Sequence, residues 1–84
     1  ELLISTKKYN HIGPYWEKKN LNEIDIVAVN DLDKQLFIAE VKTNPKNFNL
    51  YELQSKAKNL LKNYPGYVVE WAGLSLKDAK KFLP

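Results

Sequence analysis

Apolar and polar positions change their rhythm near the middle of the chain. Before residue 48 the apolar side chains come in short, β-branched runs; after it they recur at helical spacing. The clearest run is Asn22-Glu23-Ile24-Asp25-Ile26-Val27-Ala28-Val29-Asn30, which reads as a strand. Asp31-Leu32-Asp33-Lys34 has turn chemistry, and Gln35-Leu36-Phe37-Ile38-Ala39-Glu40-Val41-Lys42 is a second strand, so the two form a hairpin. An earlier strand is expected over His11 to Lys18, interrupted by Gly13-Pro14 and carrying Tyr15-Trp16. Residues 1–8 read as the end of a helix, with Leu2 and Leu3 turned inward and Lys7-Lys8 suiting the negative end of the helix dipole.

Asn49 to Asn63 is predicted as a helix. Asn49 is the cap, Glu52 completes a capping box, and Phe48 is placed to staple onto Leu53. Its apolar stripe is Leu50, Leu53, Ala57, Leu60, Leu61 and Tyr64, and Pro65-Gly66 ends it. Tyr67 to Trp71 reads as a last strand, parallel to a hairpin strand because a helix joins them. Ser75 with Asp78 opens a final helix, Leu76 to Phe82. The order helix, three strands, helix, strand, helix specifies an α/β sandwich with a mixed sheet, a single domain over residues 1–84.

Composition narrows the chemistry. The chain has 84 residues, 44% of them apolar and 27% charged. At that size it buries only roughly 60–65% of its unfolded surface, so the core is thin. No stretch approaches the ~20 apolar residues of a membrane span, and no signal-peptide pattern opens the chain. With no cysteine, disulfides, thiolate zinc sites and cysteine nucleophiles are excluded, and a cytoplasmic location is expected. Methionine is absent too, and the opening on Glu1-Leu2-Leu3-Ile4 reads as a piece that begins within or just before an amphipathic helix. All 13 basic residues are lysines, and the net charge is only +3. Lysine gives a point charge without the planar fork that reads guanine edges, so phosphate-backbone contact is expected and sequence-specific readout is not.

The anomaly lies in the hairpin, where Asp25 interrupts one apolar strand and Glu40 and Lys42 interrupt the other. Buried charges are costly unless paired or metal-bound. Glu40 and Lys42, two apart on a strand, share a face. A four-residue turn, 31–34, pairs Asn30 with Gln35 and sets Asp25 opposite Glu40; a three-residue turn puts them on opposite faces unless a bulge intervenes. Two carboxylates with a backbone carbonyl nearby, that of Val41, form an oxygen-rich site for Mg²⁺ or Mn²⁺. Such a metal activates water and polarises a phosphoryl oxygen, and Lys42 beside it stabilises developing charge or orients the water. The competing reading is a structural ion-pair network.

An acidic residue on one strand followed by Glu-X-Lys on the next, here Asp25 and Glu40-Val41-Lys42, resembles the PD-(D/E)XK nuclease superfamily; Ile24 stands where that pattern usually has proline. More narrowly, Ile12-Gly13-Pro14-Tyr15-Trp16-Glu17 followed by Asn22 to Val29 and Glu40-Val41-Lys42 resembles the nuclease-like domain at the C-terminal end of archaeal-type prokaryotic ATPases. Leu53 to Ala57 and Leu74-Ser75-Leu76-Lys77-Asp78 also fit, so the resemblance covers nearly the whole chain. It implies a restriction-endonuclease-like α-β-β-β-α-β core with a C-terminal helix. It also implies catalytic residues Asp25, Glu40 and Lys42, and a further glutamate on the first helix, upstream of Glu1. The implied activity is metal-dependent cleavage or binding of nucleic acid, DNA foremost, as part of a P-loop ATPase; a non-catalytic docking module of that ATPase is the alternative. No P-loop motif occurs in the chain itself, so the ATPase module is expected upstream as a partner.

The remaining polar residues draw ordinary readings. Glu23 and His11 are expected at strand edges, Glu17 at the surface, and Trp16 and Trp71 in the core or on its rim. Lys56 and Gln54 flank the helix stripe and are candidates for touching phosphate, against a default of a snorkelling lysine. Lys46, Lys58 and Lys62 belong to solvated faces.

Overall fold

The computed structural model describes residues 9–18 and 22–82, so the helix expected over residues 1–8 lies outside the described residues. At the centre are two antiparallel strands, β2 (Glu23–Asn30) and β3 (Gln35–Val41). They are joined by a four-residue turn, one of the two lengths left open by the sequence, with Asn30 facing Gln35. The turn is held by Asn30: its Oδ1 accepts from the Asp33 N–H and its Nδ2 donates to Asp33 Oδ2, both at 3.0 Å. That exchange satisfies a side chain that is otherwise buried. Lys34 closes the turn with φ of 55°, in the left-handed region.

Strand β1 (His11–Trp16) flanks β2 antiparallel, and β4 (Val68–Leu74) flanks β3 in parallel, giving a four-stranded mixed sheet in the order β1-β2-β3-β4. Pro14 lies on the edge strand, where its missing N–H leaves no ladder bond unmade on an inner strand. The sequence placed the end of the last strand at Trp71, but pairing runs on through Ala72↔Ala39, Gly73↔Glu40 and Leu74↔Val41. Ala and Gly are poor strand formers, so local propensity hid this extension; the full-length partner β3 supplies the pairing.

Both faces of the sheet are covered, which is why the central strands read as nearly continuous apolar runs. On one face α1 (Leu50–Lys56) and α2 (Lys58–Leu61) set Leu53, Ala57 and Leu60 against Ile24, Val27, Val29, Leu36 and Ile38. On the other, Ile26, Ala28, Phe37 and Ala39 pack with Leu74 and with Ala79 of α3 (Leu76–Ala79). Asn49 caps α1 as expected, accepting the Glu52 N–H at 3.2 Å, and Ser75 caps α3 through the Asp78 N–H at 3.2 Å.

The helix predicted over 49–63 is two short pieces. Ala57 has ψ of −2°, which tilts one piece against the other, although the i to i−4 bonds Ala57 to Leu53 and Leu61 to Ala57 persist across the joint. Beyond Leu61 the bonds Asn63 to Leu60 and Tyr64 to Leu61 are of the tighter 3₁₀ kind, and they bring the chain into the turn at Gly66, whose φ is 82°. The last helix is likewise shorter than expected, passing into a 3₁₀ turn over Lys80–Phe82. Among the described residues no helix is long and apolar enough to cross a membrane.

Candidate functional site

The site is built where β3 ends. Its Glu40 is the one buried charged residue among the described residues, 7% exposed among apolar neighbours on the α1 face. Strand alternation puts it on the side of Leu36 and Ile38, beneath α1. There the Lys56 ammonium, on the last turn of α1, donates to Glu40 Oε1 at 2.7 Å. The other carboxylate oxygen, Oε2, is buried with no hydrogen-bond partner among the described residues. A carboxylate accepts at both oxygens, so Glu40 is only half satisfied.

Asp25 approaches from β2 in a way that strand periodicity alone does not give. The turn length sets the hairpin register so that Ile26 faces Ala39, and continuing it by one residue sets Asp25 against Glu40. On its other side β2 carries a bulge: Gly13 pairs with Val27 and Tyr15 with Ile24, so Asp25 and Ile26 together face Pro14 alone. Ile24 and Val27 therefore both lie on the helix-covered face of α1, while Ile26 lies on the other. At this irregular point the Asp25 side chain is exposed, and its Oδ2 accepts the Val41 N–H at 2.8 Å.

The Lys42 N–H bonds Leu74 across to β4 at 2.8 Å. By alternation the Val41 peptide faces β2, and the Asp25 carboxylate takes the place of a ladder acceptor there. A strand residue's N–H and C=O point toward the same neighbour, so the Val41 carbonyl is turned to the Asp25 side too. The expectation that the four-residue turn sets Asp25 opposite Glu40 on one face is thus modified by the bulge, and the Asp25 carboxylate lies at the strand junction beside the Val41 N–H. It borders a depression of about 390 Å³, lined also by Ile26, Val41, Leu76, Ala79 and Lys80.

Electrostatics link the two carboxylates through Lys56. The hydrogen bond to Glu40 holds the Lys56 ammonium above the ordinary lysine value against the opposing effect of partial burial, and the charges of Glu40, Glu52 and Asp25 act in the same sense. Lys42 is half-buried, and its ammonium makes no ion pair among the described residues. Gln54 is exposed on α1 and makes no hydrogen bond with the cluster. Lys56, a candidate phosphate contact against a default of a snorkelling lysine, donates to Glu40; sequence spacing placed it at the flank of the stripe but could not show a partner sixteen residues away. Among the described residues no three His, Asp or Glu side chains gather at one point. The oxygen-bearing groups at this strand end are the Asp25 and Glu40 carboxylates and the Val41 peptide.

Two further polar clusters were not anticipated. Glu17, read as a surface residue, accepts from Tyr15 Oη at 2.8 Å, Asn22 Nδ2 at 2.6 Å and Asn59 Nδ2 at 2.9 Å, tying the end of β1 to α2. The bonds from Asn22, Asn59 and Tyr15 lower its pKa. At the opposite end of the sheet, Asp31 accepts from Tyr67 Oη at 2.5 Å and from Asn10 Nδ2 at 2.9 Å, which lowers its pKa as well. Both clusters fasten the fold. Trp71 packs half-buried against the α1 face, whereas Trp16 is 63% exposed and lies outside the core. Glu23 and His11 are exposed on their strands.

Residues 2–58, more than half of the chain, match a family described as archaeal and bacterial proteins of unknown function. No curated protein and no solved structure matches the chain.

Proposed function

We propose, for a chain that belongs to the DUF234 family, that it is a nuclease-like domain of PD-(D/E)XK type which binds or hydrolyses phosphodiesters with a divalent metal, as the C-terminal part of a P-loop ATPase. One observation carries the reading: Glu40, buried and with Oε2 unpartnered, lies next to a peptide that the Asp25 carboxylate grips from the neighbouring strand. Oxygen donors of this kind suit Mg²⁺ or Mn²⁺ better than a soft metal, and an orphaned buried carboxylate oxygen is the group such a cation would satisfy.

In this reading Asp25, through its remaining oxygen, and Glu40 hold the cation, with the Val41 carbonyl as third donor. The bound metal supplies Lewis-acid polarisation and water activation. Lys42, which strand alternation places on the face of Glu40, sets a positive charge where negative charge develops on the phosphoryl group. Lysine-only basicity gives backbone attraction to DNA without base readout.

The alternative, a docking or regulatory module of the same ATPase, is favoured by the Glu40–Lys56 pair, which already neutralises one carboxylate internally. Metal titration separates the two. A cation at a hundredfold excess over its Kd stabilises the folded state by about 2.7 kcal/mol, roughly 10–20 °C in Tm for a domain of this size. Mn²⁺ should produce such a rise, and Asp25→Asn should abolish it. The absence of any rise in the parent chain would favour the docking module. Cleavage of plasmid or single-stranded DNA that is lost in Lys42→Ala with the fold intact establishes turnover; cleavage unchanged in that variant refutes the role given to Lys42.

A further inference from the structure

We infer that Lys56 is the resident cation of the carboxylate site, and that a divalent metal binds by displacing its ammonium from Glu40. The inference rests on the metal-binding reading above and concerns how that site is held when no metal occupies it.

The geometry leads there in three steps. Lys56 Nζ lies 2.7 Å from Glu40 Oε1, on the carboxylate that the proposed cation would need. Asp25 holds the adjoining peptide through the Val41 N–H, and its charge, with that of Glu52, acts on Lys56 in the same sense as that of Glu40. The pairing uses one oxygen of Glu40 and leaves Oε2 buried without a hydrogen-bond partner among the described residues. A divalent ion would balance both charges and satisfy that oxygen. It would also repel the ammonium already there.

Lys56 is built to leave. Its side chain remains 32% exposed, against 10% for that of Glu40, and it hangs from the last turn of a seven-residue helix. A four-carbon stem lets the ammonium swing into water while the methylenes stay over the apolar flank. Once released, it stands at the rim of the site as a mobile positive charge.

The test compares Mn²⁺ binding by calorimetry in the full chain, in Lys56→Met, and in Lys58→Met. Lys58 is exposed on α2 and controls for the loss of one positive charge. Lys56→Met should bind Mn²⁺ at least tenfold more tightly than the parent, and Lys58→Met should differ from it by less than threefold. Without metal, Lys56→Met should melt below the parent, because Glu40 then lacks its counter-charge; saturating Mn²⁺ should close that gap. Lys56→Gln, which keeps a neutral donor for Oε1, serves if the Met variant does not fold, and the same direction is expected. If the parent binds Mn²⁺ and the Lys56 variants bind it equally or more weakly, the inference fails and the carboxylate site stands. If neither the parent nor a folded Lys56 variant binds Mn²⁺, the metal reading itself fails, and the inference with it.

Discussion

Gly73 is the position at which the fold leaves least room for change. It lies on β4 in register with Glu40, and a Cβ built there would sit 2.5 Å from both Cβ and Cγ of Phe48 and 3.0 Å from its Cδ1. Carbon atoms pack at about 3.5–4.0 Å, so Gly73→Ala requires the Phe48 segment to retreat by roughly 1 Å. That segment has little freedom. It runs between the 3₁₀ turn Pro45–Asn47 and the Asn49 cap of α1, and the Phe48 ring packs against the core beneath that helix. Overpacking of this kind costs about 1–3 kcal/mol, which in a domain of this size lowers Tm by roughly 5–15 °C. Thermal and urea unfolding of Gly73→Ala measure the loss. A double-mutant cycle with Phe48→Ala then identifies its source. Removing the ring eliminates two of the three close contacts and leaves the Phe48 Cβ, so the double variant should be more stable than the sum of the singles predicts by about 1 kcal/mol. Strict additivity, or a Gly73→Ala protein as stable as the parent, would show that the close approach of Phe48 to β4 is not what requires glycine there.

Two other consequences follow from local geometry and charge. Lys34 occupies a left-handed conformation, which costs a residue with a Cβ about 1–2 kcal/mol relative to glycine, so Lys34→Gly should be neutral or stabilising despite losing the ammonium 5.2 Å from the Tyr67 ring, and the β-branched Lys34→Val should be less stable than the parent; equal stability of the two variants in urea would contradict this. Glu17 and Asp31 both have lowered pKa values, the first through Asn22, Asn59 and Tyr15 and the second through Tyr67 and Asn10. A depressed carboxylate gives its full stabilisation above its unfolded value and loses it as pH falls through the folded one. The urea midpoint should therefore hold from pH 7 down to about pH 4.5 and decline below it. The decline should be shallower in the Glu17→Gln, Asp31→Asn double variant, and an equally steep one would assign acid sensitivity to other groups.

What could be read from the sequence, and what could not, divides by range. Turn length and the β-branched runs carried the hairpin and its register, since Asp31 to Lys34 leaves four residues between the partners Asn30 and Gln35. Caps at Asn49 and Ser75 were equally plain because each acts within three residues. The bulge at Asp25 and Ile26 was not. It depends on how the edge strand meets β2, and the only local sign was Pro14, a residue with no N–H to offer a ladder. The extension of β4 through Gly73 is likewise the work of its partner strand. Lys56 shows the same limit: helical spacing located it on the flank of α1, but its attachment to Glu40 exists only after the chain has crossed back over the sheet.

That attachment bears on why charge persists in so thin a core. A buried ion pair maintained for stability alone is a poor bargain, because apolar residues of similar volume often do as well or better. Where such a pair does stabilise, its remaining lone pairs are satisfied by further hydrogen bonds. Here they are not. Glu40 Oε2 has no hydrogen-bond partner among the described residues, and Asp25 adds a second carboxylate while holding the peptide next to Glu40 in place. Each feature by itself lowers the stability of the domain: a half-satisfied acid, a like charge on the neighbouring strand, and a bulge that interrupts the ladder at that spot. Together they describe a corner with one half-satisfied buried acid, Glu40, and an exposed one, Asp25, at the same strand junction. The measurement that weighs this directly is Glu40→Leu. If the corner serves stability, the variant unfolds more easily than the parent; if it serves an occupant, the variant gains stability without metal and loses all response to Mn²⁺.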